Sequence, residues 1–189
     1  MGDITTQLDG ATNVLLEIPP LDEGHDVCTS LLSDEANQNV LFVSFTSRAS
    51  ASVDQIADAS SVRNVGVITA GNTPEGVDRE GVVTENVSAA SDLTGLGIQI
   101  GKFLSEWDEP VFVCFESLTS MLQYVDYETA YEFLHAVTGQ VYAAGAQAHF
   151  HVDPSAHGEQ QVAGISSLFD ASVSLEDGTE VRTRSLLEG

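Results

Sequence analysis

The chain has 189 residues, 29 Asp and Glu against 6 Lys and Arg, a formal charge of −23 and 42% hydrophobic residues. At roughly 150 residues per domain this is one domain, 1–189, and the apolar fraction supports a sizeable core, which excludes a disordered chain despite the charge. So acidic a surface repels phosphate backbones and anionic lipids, which excludes nucleic acid and membrane partners, and no apolar run reaches the ~18–20 residues of a membrane span.

Apolar, β-rich runs alternate with helix-like stretches. Residues 1–11 are expected as a flexible N-terminus. Asn13–Ile18 is a short strand, followed by Pro19, Pro20 and a polar loop. Asp26–Ala36 has Val27, Cys28, Leu31 and Leu32 on one helical face. Asn39–Phe45 is a second, buried strand, Val53–Ala59 a short helix and Asn64–Thr69 a third strand. Residues 71–81 hold Gly71, Pro74, Gly76 and Gly81 and form a loop. Val82–Val87 is a fourth strand. Asp92–Trp107 is a long amphipathic helix with Asp92 as N-cap and a stripe of Leu93, Leu96, Ile100, Phe103, Leu104 and Trp107. Gly95, Gly97 and Gly101 in it suggest close packing on a sheet. Val111–Phe115 is wholly apolar and reads as a central strand. Tyr127–Ala144 is a helix, Ala146–Val152 a strand and Ala156–Phe169 a helix. Residues 171–186 read as a terminal hairpin turning at Asp177-Gly178 with a type I′ turn. The alternation predicts an α/β fold with a mostly parallel sheet covered on both faces.

The acids run evenly from Asp3 to Glu188, and Lys102 is the one lysine. Such a surface repels itself in dilute buffer, and molar salt shortens the Debye length to about 3 Å and removes the penalty. The composition therefore fits a halophile's cytoplasm, and no secretory signal opens the sequence. Cys28 and Cys114, far apart, read as buried thiols in a reducing compartment. Arg48, Arg63 and Arg79 are scarce cations that serve either a specific contact or local pairing. Tyr124, Tyr127, Tyr131, Phe133 and Leu134 read as core and interface.

In such a fold ligands gather at the carboxyl ends of the strands. A phosphate-binding loop after the first strand needs G-x-x-x-x-G-K-[ST]. The window here is Pro19 to Asp26. Gly24 fits. Pro19 and Pro20 remove two N–H donors. His25 stands where the lysine belongs, and Asp26 where Ser or Thr belongs. The window is either a nucleotide loop that has lost its chemistry or an ordinary loop.

The run Val111–Phe115 ends in Glu116-Ser117-Leu118-Thr119 and resembles the Walker B strand of RecA/KaiC-like ATPases, an apolar strand ending in Asp-Ser-Leu. The strand Leu41–Phe45 resembles the family's next strand, with Thr46 and Ser47 in place of the catalytic glutamate. The segments Asp92–Ile98, Phe115–Thr119, Leu122–Asp126 and His149–Pro154 resemble a haloarchaeal family of small RecA/KaiC-like proteins, some labelled HTR-like, with degenerate Walker motifs and no established activity. The order of elements suits it over about residues 12–176. The resemblance implies a RecA-like three-layer fold and a vestigial nucleotide site at Pro19, Gly24, His25, Asp26, Thr46, Glu116 and Ser117, with Glu116 in the place of the magnesium-orienting Asp. The missing lysine alone removes a charge-assisted contact of about 1.5–3 kcal/mol. ATP hydrolysis is not expected.

His149, His151, Asp153 and His157 form H-x-H-x-D-x-x-x-H. Residues 149, 151 and 153 of a strand share a face, and zinc or another transition metal accepts such ligands. The pattern resembles H-x-H-x-D-H of metallo-β-lactamase-like hydrolases, with Pro154 in place of the second-metal histidine. The plainer alternative is one packed histidine and two surface ones.

The expectation is a non-catalytic RecA/KaiC-like regulatory or scaffold protein without a cofactor, working through a protein partner, self-association or pairing with an active paralogue. Two alternatives stand beside it. One is a metal-binding protein or hydrolase using Glu116, His149, His151 and Asp153. The other is a weak Mg-ATP sensor.

Overall fold

The buried runs of the sequence become the middle of one sheet. The computed structural model describes residues 4–19, 30–32, 36–46, 49–71, 77, 79–175 and 178–184. Its strands are β1 (Asn13–Glu17), β2 (Gln38–Ser44), β3 (Val62–Ala70), β4 (Val82–Val87), β5 (Val111–Glu116), β6 (Gln147–Val152), β7 (Ala171–Ser174) and β8 (Glu180–Thr183). They lie in the order β4-β3-β2-β5-β6-β1-β7-β8. Every neighbouring pair is parallel except β7 and β8. β2 and β5 are buried at every residue, as central parallel strands covered on both faces must be.

The described helices are α1 (Ile4–Gln7), α2 (Ala49–Ile56), α3 (Leu93–Glu106), α4 (Leu118–Met121), α5 (Tyr127–Ala143) and α6 (Glu159–Ser166), with a 3-10 turn at Pro154–Ala156. Alternation along the strands divides the core in two. One face sends Leu41, Val43, Val113, Phe115, Ala148 and Phe150 against α3, α4, α5 and α6. The other sends Val40, Phe42, Val65, Val67, Phe112 and Cys114 against Val53 and Ile56 of α2. Val14 and Leu16 continue that second face and meet Leu31, Ala171 and Val173. Rings run across the first face, Phe45 to Phe115 at 5.8 Å, Phe115 to Phe150 at 5.3 Å and Phe150 to Phe169 at 5.0 Å. Burying each such ring contributes roughly 1.5–3 kcal/mol.

Local chemistry sets the element ends. Asp92 caps α3 by accepting the Gly95 N–H at 2.8 Å, and Leu93, Leu96, Ile100, Phe103 and Leu104 form the buried stripe. Asp126 caps α5 by accepting the Thr129 N–H at 2.8 Å.

Several expectations need correction. α2 begins at Ala49, four residues earlier than expected, because Ser52, Val53 and Ile56 already supply an inward face. The helix expected over Ala156–Phe169 is split. Pro154 starts a 3-10 turn, His157 and Gly158 are extended, and α6 begins only at Glu159. Within the N-terminal segment expected as flexible, the described residues include α1, and Leu8 packs with Val14 and Leu16. Gly97 and Gly101 face α5 rather than the sheet: a Cβ there would lie 3.7 Å from Phe133 and 3.5 Å from Gln140. The close approach to the sheet is made at Gly66 of β3, where a Cβ would stand 2.7 Å from Phe103 and 2.8 Å from Trp107. The terminal hairpin forms, with β7 and β8 antiparallel. Asp177 of its expected turn, Cys28 and most of the helix expected over 26–36 lie outside the described residues.

Candidate functional site

Two connections define a crevice at the carboxyl edge of the sheet. From β2 the chain crosses to β3 by α2, on one face. From β5 it crosses to β6 by α5, on the other. β2 and β5 are neighbours, so the chain leaves them in opposite directions, and a doubly wound sheet binds its ligands at such a switch point.

The residues there form a polar row. Register pairs Glu116 with Ser44, Ser44 with Thr69 and Thr69 with Asn86. Glu116, Ser44 and Thr69 are buried, Glu116 at 7% exposure. Ser52 of α2 donates its hydroxyl to Glu116 Oε1 at 3.3 Å. The Phe45 N–H donates to the Glu116 carbonyl at 3.1 Å, which ties the end of β2 to the end of β5. Ser44 Oγ donates to the Thr46 carbonyl at 2.9 Å and accepts the Thr46 N–H at 3.2 Å. Asn86 Nδ2 donates to Thr69 Oγ1 at 2.8 Å. Burial makes polar groups costly unless they are bonded, and this edge meets that demand with bonds among its own side chains and backbone.

Ser117 caps α4, its hydroxyl accepting the Ser120 N–H at 3.3 Å. Pro19 lies just past β1, after Ile18, whose N–H donates to the Val152 carbonyl at 2.9 Å. Gly24, His25 and Asp26 lie outside the described residues. The structure therefore brings Thr46, Glu116 and Ser117 to one edge.

It does not gather the proposed metal ligands. His149 and His151 share a face of β6, both buried. Each leans toward β5: the His149 ring meets Phe112 edge-on at 5.4 Å, and His151 Nε2 lies 3.6 Å from Cys114 Sγ. Asp153 leaves the strand to cap the 3-10 turn, where its Oδ1 accepts the Ser155 N–H at 3.0 Å and the Ser155 hydroxyl at 2.6 Å. His157 Nε2 lies 3.0 Å from Thr119 Oγ1, which also accepts the Asp153 N–H at 2.9 Å. The four side chains thus bond elsewhere rather than converge, and among the described residues no three His, Cys, Asp or Glu come close enough to hold a metal ion. Convergence fails because the strand ends at Val152, before Asp153 can continue its alternation.

Arg79 bridges Asp54 and Asp58 at 2.6 Å each, and hydrogen bonds to Asp58 and then Asp54 push its guanidinium pKa up. That cation has local partners. Arg63 is exposed, and Arg48 lies outside the described residues. Phe133 and Leu134 are core, whereas Tyr124 is half-exposed, stacked on Phe45 at 6.4 Å. Sequence reasoning missed Ser52 and Thr119. Ser52 sits beside Val53 on the inward side of α2, a small signal in a run of Ala and Ser. Thr119 has no local signal, because its partners lie 34 and 38 residues away.

The edge and the winding define a doubly wound α/β protein with a self-bonded polar switch point. The chain belongs to a family of unknown function, DUF7504, whose model matches residues 11–175. No curated protein matches it. Among solved structures it is similar to the PH0250 protein of Pyrococcus horikoshii OT3, with 14% identity and a TM-score of 0.62 over 92% of this chain and 87% of that one. It is also similar to the uncharacterized protein PH0321 of Pyrococcus horikoshii, solved in complex with an unknown peptide, with 10% identity and a TM-score of 0.58 over 93% of this chain and 86% of that one. At these identities the likeness is one of fold.

Proposed function

We propose that this chain is a RecA/KaiC-like domain without ATPase chemistry, acting as a regulatory or scaffold protein through a protein partner, a second copy or an active paralogue. The observation that carries this reading is the state of Glu116. A magnesium-orienting acid has to be open to the ion, whereas Glu116, although it lies in the row at the crevice, is buried and takes the Ser52 hydroxyl. No acid stands at the end of β2, where Ser44 and Thr46 bond each other. The strand order supports the resemblance, with β6 lying between β1 and β5 and β2 beyond β5. The charge of −23 speaks for a halophile's cytoplasm and against polyphosphate ligands. The peptide held by the PH0321 protein suggests a polypeptide as the first partner class to test.

The test is phosphate release from Mg-ATP in molar KCl, comparing the protein with Glu116→Gln, which keeps an acceptor for Ser52. The expected result is no release above the buffer blank in either. Release that Glu116→Gln abolishes would overturn the reading. Light scattering in the same buffer then reports whether the partner is a second copy.

A further inference from the structure

A second polar hollow opens beside the row, on the opposite face of the sheet. It is a cavity of about 340 Å³ between the β5–α5 and β6–α6 connections, at the lower end of the ~300–1,000 Å³ typical of small-molecule sites. Its polar wall is Thr119, Gln123, Asp126, Tyr127, His157 and Gln161, and its apolar wall is Leu122, Val125 and Ala156. Among the described residues no lysine or arginine lines it.

Three features select its occupant. The first is charge. Asp126 is the carboxylate of the wall, and its bond from the Thr129 N–H holds its pKa below the usual range, so it is ionised at neutral pH. A carboxylate accepts from several donors, and one of its oxygens meets this bond. The second is the pair of helix starts. α5 and α6 both begin at the cavity, and a helix N-terminus favours an anion. Here that demand is met within the chain: Asp126 sits at the first, Glu159 lies in the first turn of the second, and Gln161 Oε1 accepts the Gly158 N–H at 3.4 Å. The third is shape. Leu122, Val125 and Ala156 suit an alkyl stem, Tyr127 adds an aromatic side chain to the wall, and the Gln123 amide carries an acceptor oxygen. The Thr119–His157 bond and the Asp153 N–H on the same hydroxyl fix the far wall.

From this wall of carboxylate, ring, amide and aliphatic groups we infer that the cavity binds an alkylguanidinium or alkylammonium group, the chemistry of an arginine or lysine side chain. The cation lies against Asp126 and the stem against Leu122 and Val125. The inference goes beyond the proposed function and does not depend on it, since such a site serves a catalyst as well as a scaffold.

The test is calorimetric titration of the whole chain in molar KCl with N-acetyl-arginine amide, using N-acetyl-citrulline amide as the neutral isostere. Asp126→Asn keeps a capping side chain and removes the charge. Ala156→Leu narrows the cavity and leaves the charge. The expected result is saturable binding of the arginine probe, at least about tenfold weaker for the citrulline probe and for Asp126→Asn, and weakened in Ala156→Leu. Circular dichroism checks that each variant folds, and Ala156→Leu keeps the test open if Asp126→Asn does not. Equal affinity for both probes, affinity unchanged in the folded variants, or no saturation at about 10 mM probe would overturn the assignment. Agmatine and a Gly-Arg-Gly peptide separate the sources: binding of both assigns a polypeptide side chain, binding of agmatine alone a free amine.

Discussion

Asp126 shows how much one side chain does here. It ends the α4–α5 connection, starts a 17-residue helix and supplies the charge of the neighbouring cavity. Its folded pKa lies below the unfolded value because the Thr129 backbone N–H, and then the Thr129 side chain, favour the carboxylate. The stabilisation is therefore present above the unfolded carboxyl pKa, near pH 4, and is lost as pH falls through the folded one. Melting temperatures of the protein and of Asp126→Asn across pH 2–7 check this. Asn caps about as well as Asp, so the charged form should melt higher at neutral pH, and the gap should close toward pH 2. At this scale the sequence was legible where chemistry is local. Asp92 caps three residues on, and Glu116 ends an apolar run. It was not legible where partners are distant: Ser52 meets Glu116 across 64 residues, and His151 meets Cys114 across 37. The H-x-H-x-D spacing suggested convergence, but a spacing cannot state where the strand stops.

Elements whose apolar period is long and unbroken were legible almost residue for residue. α3, α5 and the central β5 lie within about a residue of the expected bounds, because burial decides them. Weakly apolar stretches were not. α2 is rich in Ala and Ser, and α6 is preceded by Pro and Gly, so tertiary contacts set their ends. Gly97 and Gly101 of α3 were read correctly as a packing signal and assigned to the wrong neighbour, whereas Gly95 lies against the capping Asp92. Two substitutions separate the cases. Gly66→Ala puts a methyl group against Phe103 and Trp107 and should cost about 1–3 kcal/mol. Gly97→Ala meets Phe133 at an ordinary 3.7 Å and should stabilise by up to about 1 kcal/mol through helix propensity. Denaturant unfolding of both variants in molar KCl checks the opposite signs.

For the whole molecule, alternation and burial were enough to foresee a mostly parallel sheet covered on both faces with a terminal hairpin, and this is the architecture. The strand order was not foreseeable from alternation, which carries no information on whether β5 inserts beside β2. A charge of −23 on this frame should make stability rise with salt. The melting temperature is expected to climb steeply between about 0.1 and 1 M KCl, as the Debye length falls from about 10 to 3 Å. A melting temperature indifferent to KCl would contradict the halophilic reading. The central claim, however, concerns the switch point, where Ser44, Thr46, Ser52 and Glu116 bond within the chain. The most direct measurement is a Mg-ATP titration by calorimetry in molar KCl, carried to millimolar nucleotide. No saturable heat is the predicted result. Saturable binding weakened by Glu116→Ala would contradict it and make the carboxyl edge a working nucleotide site.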